Sequence, residues 1–163
     1  MHVLTKFLSE RSRATLLIRI FGLMKIPLIS YVRPSVVAVD EEKIVVKIPF
    51  RRRNRNHLNS MYFGALCVGA DCTGGLLAMK YIEERAERIA LVFKDFQADF
   101  LKRAEDDTYF ICEQGREISA LVDLACRCED RQEMAVNVTA TVPARFGDEP
   151  VATFTMTLSL KRR

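Results

Sequence analysis

The chain has 163 residues, 49% hydrophobic and 28% charged, which predicts a single domain over 1–163 with enough core to fold without disulfides or metals. Seven glycines and five prolines are too few for low complexity, and the apolar content excludes a disordered chain. The net charge of +4 is uneven: residues 1–60 hold 12 Lys/Arg against 4 Asp/Glu, and residues 61–163 hold 13 against 17, so the first part suits an anion or is a solvated basic face.

Residues 3–24 read as a helix. Leu4, Phe7 and Leu8 share a face, and Leu17, Phe21 and Met24 continue an apolar stripe at spacings of three and four. Gly22 weakens its end and Pro27 stops it. The helix either docks on the domain's own core or lies at the surface, where its basic residues allow contact with lipid. Charges and Pro27 inside the apolar stretch Ala14 to Val32 argue against a signal peptide or a spanning helix. A hairpin follows, with strands Ser35 to Val39 and Lys43 to Ile48 joined at Asp40-Glu41-Glu42.

The polar run Arg51-Arg52-Arg53-Asn54-Arg55-Asn56-His57-Leu58-Asn59 has no apolar period and reads as a loop. Ser60 is placed to cap the next helix, which runs to about Ile82. Its segment Met61 to Met79 is 19 residues with one charge, Asp71. Length alone permits a membrane span. Four glycines and a central aspartate favour a helix buried in a core instead, so no stable membrane insertion is expected. Gly64, Gly69, Gly74 and Gly75 each disfavour helix by about 1 kcal/mol, which predicts close packing against it.

The remainder reads mainly as strands. Arg88 to Leu101 alternates, but the parity slips near Lys94-Asp95, which predicts a bulge. Thr108 to Cys112 is a short strand. Ile118, Leu121, Val122 and Ala125 mark a helix. Two long alternating strands follow, one holding Val136 to Val142 and one Ala152 to Leu160, with a turn at Phe146 to Pro150 between them. Five or six half-wet strands make an antiparallel sheet. A helix that is apolar all round needs cover on every side, so the sheet is expected to curl round it.

The cysteines Cys67, Cys72, Cys112, Cys126 and Cys128 are an odd set. Free thiols in a reducing, cytoplasmic setting are the simplest expectation. Cys126-x-Cys128 lacks zinc spacing, and no metal or other cofactor is expected. Cys67 and Cys72 read as inert packing rather than nucleophiles. The chain has no Gly-x-Ser-x-Gly elbow and no phosphate loop.

The stretch Arg55-Asn56-His57-Leu58-Asn59-Ser60-Met61-Tyr62-Phe63-Gly64-Ala65 resembles a branch of the hotdog superfamily related to the phenylacetyl-CoA-type acyl-CoA thioesterases. The element order over nearly the whole chain is similar as well. The closer match covers about Arg51 to Gly75. Relatives carry an Asn, a Gly-Gly pair opening the helix, and Ala-Asp midway along it. Asn56, Phe63-Gly64 and Ala70-Asp71 stand in similar places, with one Gly of the pair missing and Tyr62 where many relatives have His. The resemblance implies an α+β hotdog fold: a curled antiparallel sheet wrapped round a long central helix, with an extra N-terminal helix. It also implies a homodimer, with a tetramer as the larger option, and an acyl-CoA or acyl-carrier thioester as substrate.

Asp71 is the residue whose chemistry needs a reason. A buried carboxylate either is held by neighbours in a structural role or serves as general base or nucleophile on a thioester. The free amides of the helix start, within Tyr62, Phe63, Gly64 and Ala65, would donate to an oxyanion. Asn56 or His57 would orient water or polarise the carbonyl. Arg51, Arg52 and Arg53 would bind the phosphates of coenzyme A or are simply solvated. The run carries no aromatics for base stacking, so no nucleic-acid partner is expected. Three functions remain open: an acyl-CoA thioesterase, a non-catalytic acyl-CoA or fatty-acyl binding module, and a hotdog hydratase. The hydratase would need an Asp-His pair that is incomplete here.

Overall fold

The computed structural model describes residues 9–163. The expected helical face at Leu4, Phe7 and Leu8, and His2, lie outside them. Helix α1 spans Glu10–Met24. Its first turn is capped by Ser9, whose hydroxyl accepts from the Ser12 amide at 3.3 Å. Pro27 does more than end this helix. It opens a second, α2 (Pro27–Val32), because a proline at the first helical position lacks only a donor that has no partner there anyway. Six residues are too few for a periodic signal, so this element is invisible to pattern reading.

The hairpin strands are β1 (Ser35–Val39) and β2 (Ile44–Ile48). The Asp40 carboxylate accepts from the amides of Glu42 and Lys43, both at 2.8 Å, and closes the turn. A single 3-10 turn at Arg52–Asn54 leads to the long helix α3 (Phe63–Arg85). Ser60 does not cap it. Tyr62 occupies that position without a side-chain bond, and the Ser60 hydroxyl turns back to Asn56. Strands β3 (Ile89–Phe100) and β4 (Thr108–Cys112), helix α4 (Gly115–Arg127), strand β5 (Gln132–Thr141), the short turn α5 (Pro143–Phe146) and strand β6 (Pro150–Arg162) complete the order. The register of β3 on β6 shifts between Phe93 and Phe96, where the parity slip predicted a bulge.

The six strands form one antiparallel sheet in the order β1-β2-β4-β5-β6-β3. Here the expected architecture needs correction. The sheet is not curled round α3 and is not closed; it is open, with β1 and β3 as its edges. The expectation assumed that only the sheet covers an all-apolar helix. Instead α3 lies on one face of the sheet and packs also against α4, α2 and α1. Helix α4 turns Ile118, Leu121, Val122 and Ala125 inward. Helices supply the cover that curling would have supplied.

Close packing against the glycines is real at Gly69. A Cβ there would lie 2.3 Å from the Phe110 ring, and Phe110 is fully buried. At Gly74 the neighbour Val136 is 3.1 Å away, and at Gly75 the Phe93 ring is at an ordinary 3.6 Å.

The two edges are finished differently. At β1 the Thr15 hydroxyl of α1 accepts from the Val36 amide at 2.9 Å, and Arg19 donates to the Pro34 carbonyl at 3.2 Å. The outer edge of β3 meets no backbone partner among the described residues.

Candidate functional site

Asp71 sits two turns into α3. In the first three turns Phe63, Gly64, Cys67, Val68 and Asp71 are the residues not fully buried. Their spacing of three and four puts them on one stripe. This stripe is where the cover of α3 is incomplete. The Asp71 carboxylate is partly buried and has no hydrogen-bond or ion-pair partner among the described residues. Burial pushes its pKa above the usual aspartate value of 3.8, and no neighbouring charge offsets it. On the next residue the Cys72 thiol is buried and its pKa is pushed well up, first by burial and then by Asp71. That thiol is inert as a nucleophile.

At the helix start the amides of Phe63 and Gly64 donate to no group among the described residues, whereas the Ala65 amide bonds the Tyr62 carbonyl at 2.9 Å. Two free donors at the positive end of a 23-residue helix suit an oxyanion. The space that Gly64 leaves holds the Tyr62 ring; a Cβ there would lie 2.6 Å from it. A substrate carbonyl reaches Gly64 only after that exposed ring moves. Beside it an aromatic patch runs toward β3. The Phe63 and Phe100 ring centroids are 6.3 Å apart, and Phe100 and Phe96 each meet Phe154, at 6.1 and 5.8 Å. Phe63, Phe96 and Phe100 are 56%, 41% and 49% exposed. The alternation of β3 did not show that its Phe96 to Phe100 end stays open.

The polar loop is organised differently. The Asn56 side-chain oxygen accepts from the amides of Leu58 and Ser60 at 2.9 and 3.1 Å, and its nitrogen donates to the Ser60 hydroxyl at 3.0 Å. Its side-chain amide shapes the loop through both its oxygen and its nitrogen. His57 is exposed and free of side-chain bonds among the described residues. Asn54, which pattern reading passed over inside the arginine run, is fully buried. Its side-chain nitrogen donates to the carbonyls of Val32 and Pro49 at 3.1 and 2.9 Å, and its backbone carbonyl accepts from the Tyr62 amide at 2.7 Å, while the buried side-chain oxygen has no partner among the described residues. It therefore ties α2, the loop and the start of α3 together.

Arg51, Arg52 and Arg53 line an open groove with Tyr31 and Arg55. No residue of α3 lines it, so the arginines and Asp71 stand at separate places. Arg53 stacks on Tyr31 and Arg55 on Phe50, at 5.4 and 4.2 Å. Among the described residues no group of three or more His, Cys, Asp or Glu is placed to hold a metal ion.

The family model described as a domain of unknown function, DUF4442, matches residues 14–160. The chain belongs to that family. No curated protein matches the chain. Solved structures do. A Pseudomonas aeruginosa protein, described both as of unknown function and as a probable thioesterase, is 22% identical, with a TM-score of 0.73 over 91% of this chain and 96% of that one. A Chlorobaculum tepidum protein of unknown function is 11% identical, with a TM-score of 0.78 over 94% and 97%. A mutant thioesterase from Pseudomonas aeruginosa is 12% identical, with a TM-score of 0.67 over 97% and 98%. At these identities the likeness is one of fold alone, the hotdog fold. Helix α3 is long and apolar enough to cross a membrane, but 61% of its most apolar window is buried inside the fold.

Proposed function

We propose that this DUF4442 protein hydrolyses acyl thioesters, with Asp71 as the general base or nucleophile and the Phe63 and Gly64 amides as oxyanion donors. The observation that carries the reading is Asp71 itself: a half-buried carboxylate with no partner among the described residues, on the open stripe of the first turns of an apolar helix. A structural aspartate in such surroundings would be hydrogen-bonded. The fold shared with structures named thioesterases supports the same chemistry.

As base, Asp71 takes a proton from water. The hydroxide adds to the thioester carbonyl carbon, and the new oxyanion is met by the helix-start amides. The C–S bond then breaks, and the leaving thiolate recovers the proton. As nucleophile, Asp71 would attack the carbonyl carbon and expel the thiolate as the C–S bond breaks, and water would cleave the resulting anhydride to the free acid and the regenerated carboxylate.

One protomer does not bring these parts together. Gly64 and Asp71 are seven residues apart, about 10 Å along a helix, too far to act on one carbon. Two copies paired along β3 would set the helices side by side, with the Asp71 of one near the helix start of the other. The bare edge of β3 and the exposed Phe63, Phe96 and Phe100 beside it support that pairing. Arg51, Arg52 and Arg53 would hold the phosphates of a CoA substrate, away from the reacting carbon.

The Tyr62 ring over Gly64 favours a second reading, a module that binds an acyl chain or acyl-CoA and does not cleave it. Thiol release from medium-chain acyl-CoA by wild type and Asp71→Asn, with light scattering on both, separates the two. Turnover that is lost in the variant while the dimer persists supports the hydrolase. No turnover by a dimeric wild type supports the module, and a monomer at micromolar concentration ends the composite site.

A further inference from the structure

A second surface lies at the corner where α1 meets α2. Six consecutive residues, 23–28, are exposed there. Four are large and apolar: Leu23, Met24, Ile26 and Leu28, at 74%, 71%, 42% and 58% exposure. Water-facing leucines occur singly on most proteins, but a contiguous set at the tip of a helical corner marks a docking surface.

The flank of this corner is basic. Leu23 lines a groove with Arg19, Arg33 and Arg53, and Arg53 also lines the adjoining groove of Arg51, Arg52 and Arg55. None of these six arginines pairs with a carboxylate among the described residues. Three of the four acidic residues among residues 1–60 are engaged elsewhere. Glu10 meets Lys80 at 3.5 Å, Asp40 holds the hairpin turn, and Glu42 pairs with Arg116. These six arginines are thus gathered in two adjoining grooves next to the apolar tip, and no described carboxylate neutralises them there.

The geometry points to an anionic lipid bilayer as the partner of this corner. Leu23, Met24, Ile26 and Leu28 enter the boundary between headgroups and acyl chains, while Arg19, Lys25, Arg33 and Arg51 to Arg53 face lipid phosphates. A short apolar tip beside a cluster of arginines lies on a membrane and does not span it. The apolar tip distinguishes this partner from a free phosphate or a nucleic acid, neither of which covers leucines. The inference shares Arg51 to Arg53 with the thioesterase reading but does not depend on it: Asp71 and the helix-start amides take no part, and the variants below leave Arg51 to Arg53 in place.

Co-sedimentation of the full chain with vesicles tests it. Vesicles of phosphatidylcholine alone are compared with vesicles in which a third of the lipid is phosphatidylglycerol, at low and high salt. Binding to the anionic vesicles is expected, at least about ten-fold tighter than to the neutral ones and weakened by salt. The double variant Leu23→Glu/Met24→Glu should lose at least about ten-fold in binding, with its melting temperature unchanged, since both positions face water. Arg19→Glu/Arg33→Glu should lose about as much and flatten the salt dependence. Equal binding to both vesicle types, no binding to either, or full binding by the leucine–methionine variant overturns the proposal. A change of oligomeric state in that variant, with vesicle binding intact, assigns the corner to a second copy of the chain instead.

Discussion

Asn54 and Asp71 are both polar groups enclosed by the fold near the start of α3, and the protein treats them in opposite ways. Asn54 is fully buried, and its nitrogen holds two carbonyls, although its side-chain oxygen meets no partner among the described residues. Asp71 carries a charge, which costs more to bury than an amide, yet it meets no partner among the described residues. Folding alone explains Asn54, because removing it would leave two backbone carbonyls stranded. It does not explain Asp71, which the fold would hold more easily as Asn or Ala. The difference between a polar group that ties the chain and one that the chain leaves untied is the sharpest separation of structure from chemistry in this molecule.

Asp71→Asn is the largest test of that contrast. Turnover of an acyl-CoA should fall by about 10²-fold or more, with little change in KM and a melting temperature held or raised. A lowered melting temperature with activity intact would make Asp71 a second Asn54. The reverse pattern is expected of Asn54→Ala: a loss of about 2 kcal/mol or more in stability by denaturant titration, from two carbonyls left without donors. Asn56→Ala should lose about 1 kcal/mol, since it frees the amides of Leu58 and Ser60 near solvent. If Asn56→Ala instead abolishes turnover at unchanged stability, the loop belongs to the reacting centre.

Two smaller effects sharpen the picture. Replacing Arg51, Arg52 and Arg53 together by Ala should raise KM for a CoA ester and reduce its salt dependence, while leaving KM for a short N-acetylcysteamine thioester unchanged. An equal response of both substrates would make the run a solvated surface. The smallest effect is on pH. Burial raises the Asp71 pKa, so the folded protein holds this proton more tightly than the unfolded chain does. The stability from this group is present in full below the ordinary value of 3.8 and is lost as pH rises through the folded value. Asp71→Asn should remove that slope from a series of melting curves. In the same window kcat/KM should climb as the carboxylate ionises.

Where a residue's position is written in a local period, the fold was legible. The hairpin, the α4 stripe and the bulge between Phe93 and Phe96 follow from alternation and its breaks. So did the presence of a carboxylate on α3. The openness of the sheet was not legible, because nothing in the α3 sequence says whether a strand or a helix will cover it, and α4, α2 and α1 share that work. Nor was the division of the polar loop. Asn54 and Asn56 are the same residue type two positions apart, but one is buried under α2 and the other folds the turn at Ser60. Only the path of the backbone decides which carbonyl or amide each one meets. The Tyr62 ring over Gly64 escaped for the same reason.

The Thr15 hydroxyl on the Val36 amide bears on how many copies can join. A sheet with two bare edges is a template that adds strands without limit, and such chains grow into fibres. Here one edge is closed from within by Thr15 and Arg19 of α1, and among the described residues only β3 is left to pair. Edge-to-edge growth therefore ends after one partner. Thr15→Val, which keeps the shape and removes the hydroxyl, would strand the Val36 amide and weaken that closure, and its cost would be read in turbidity as well as in melting temperature.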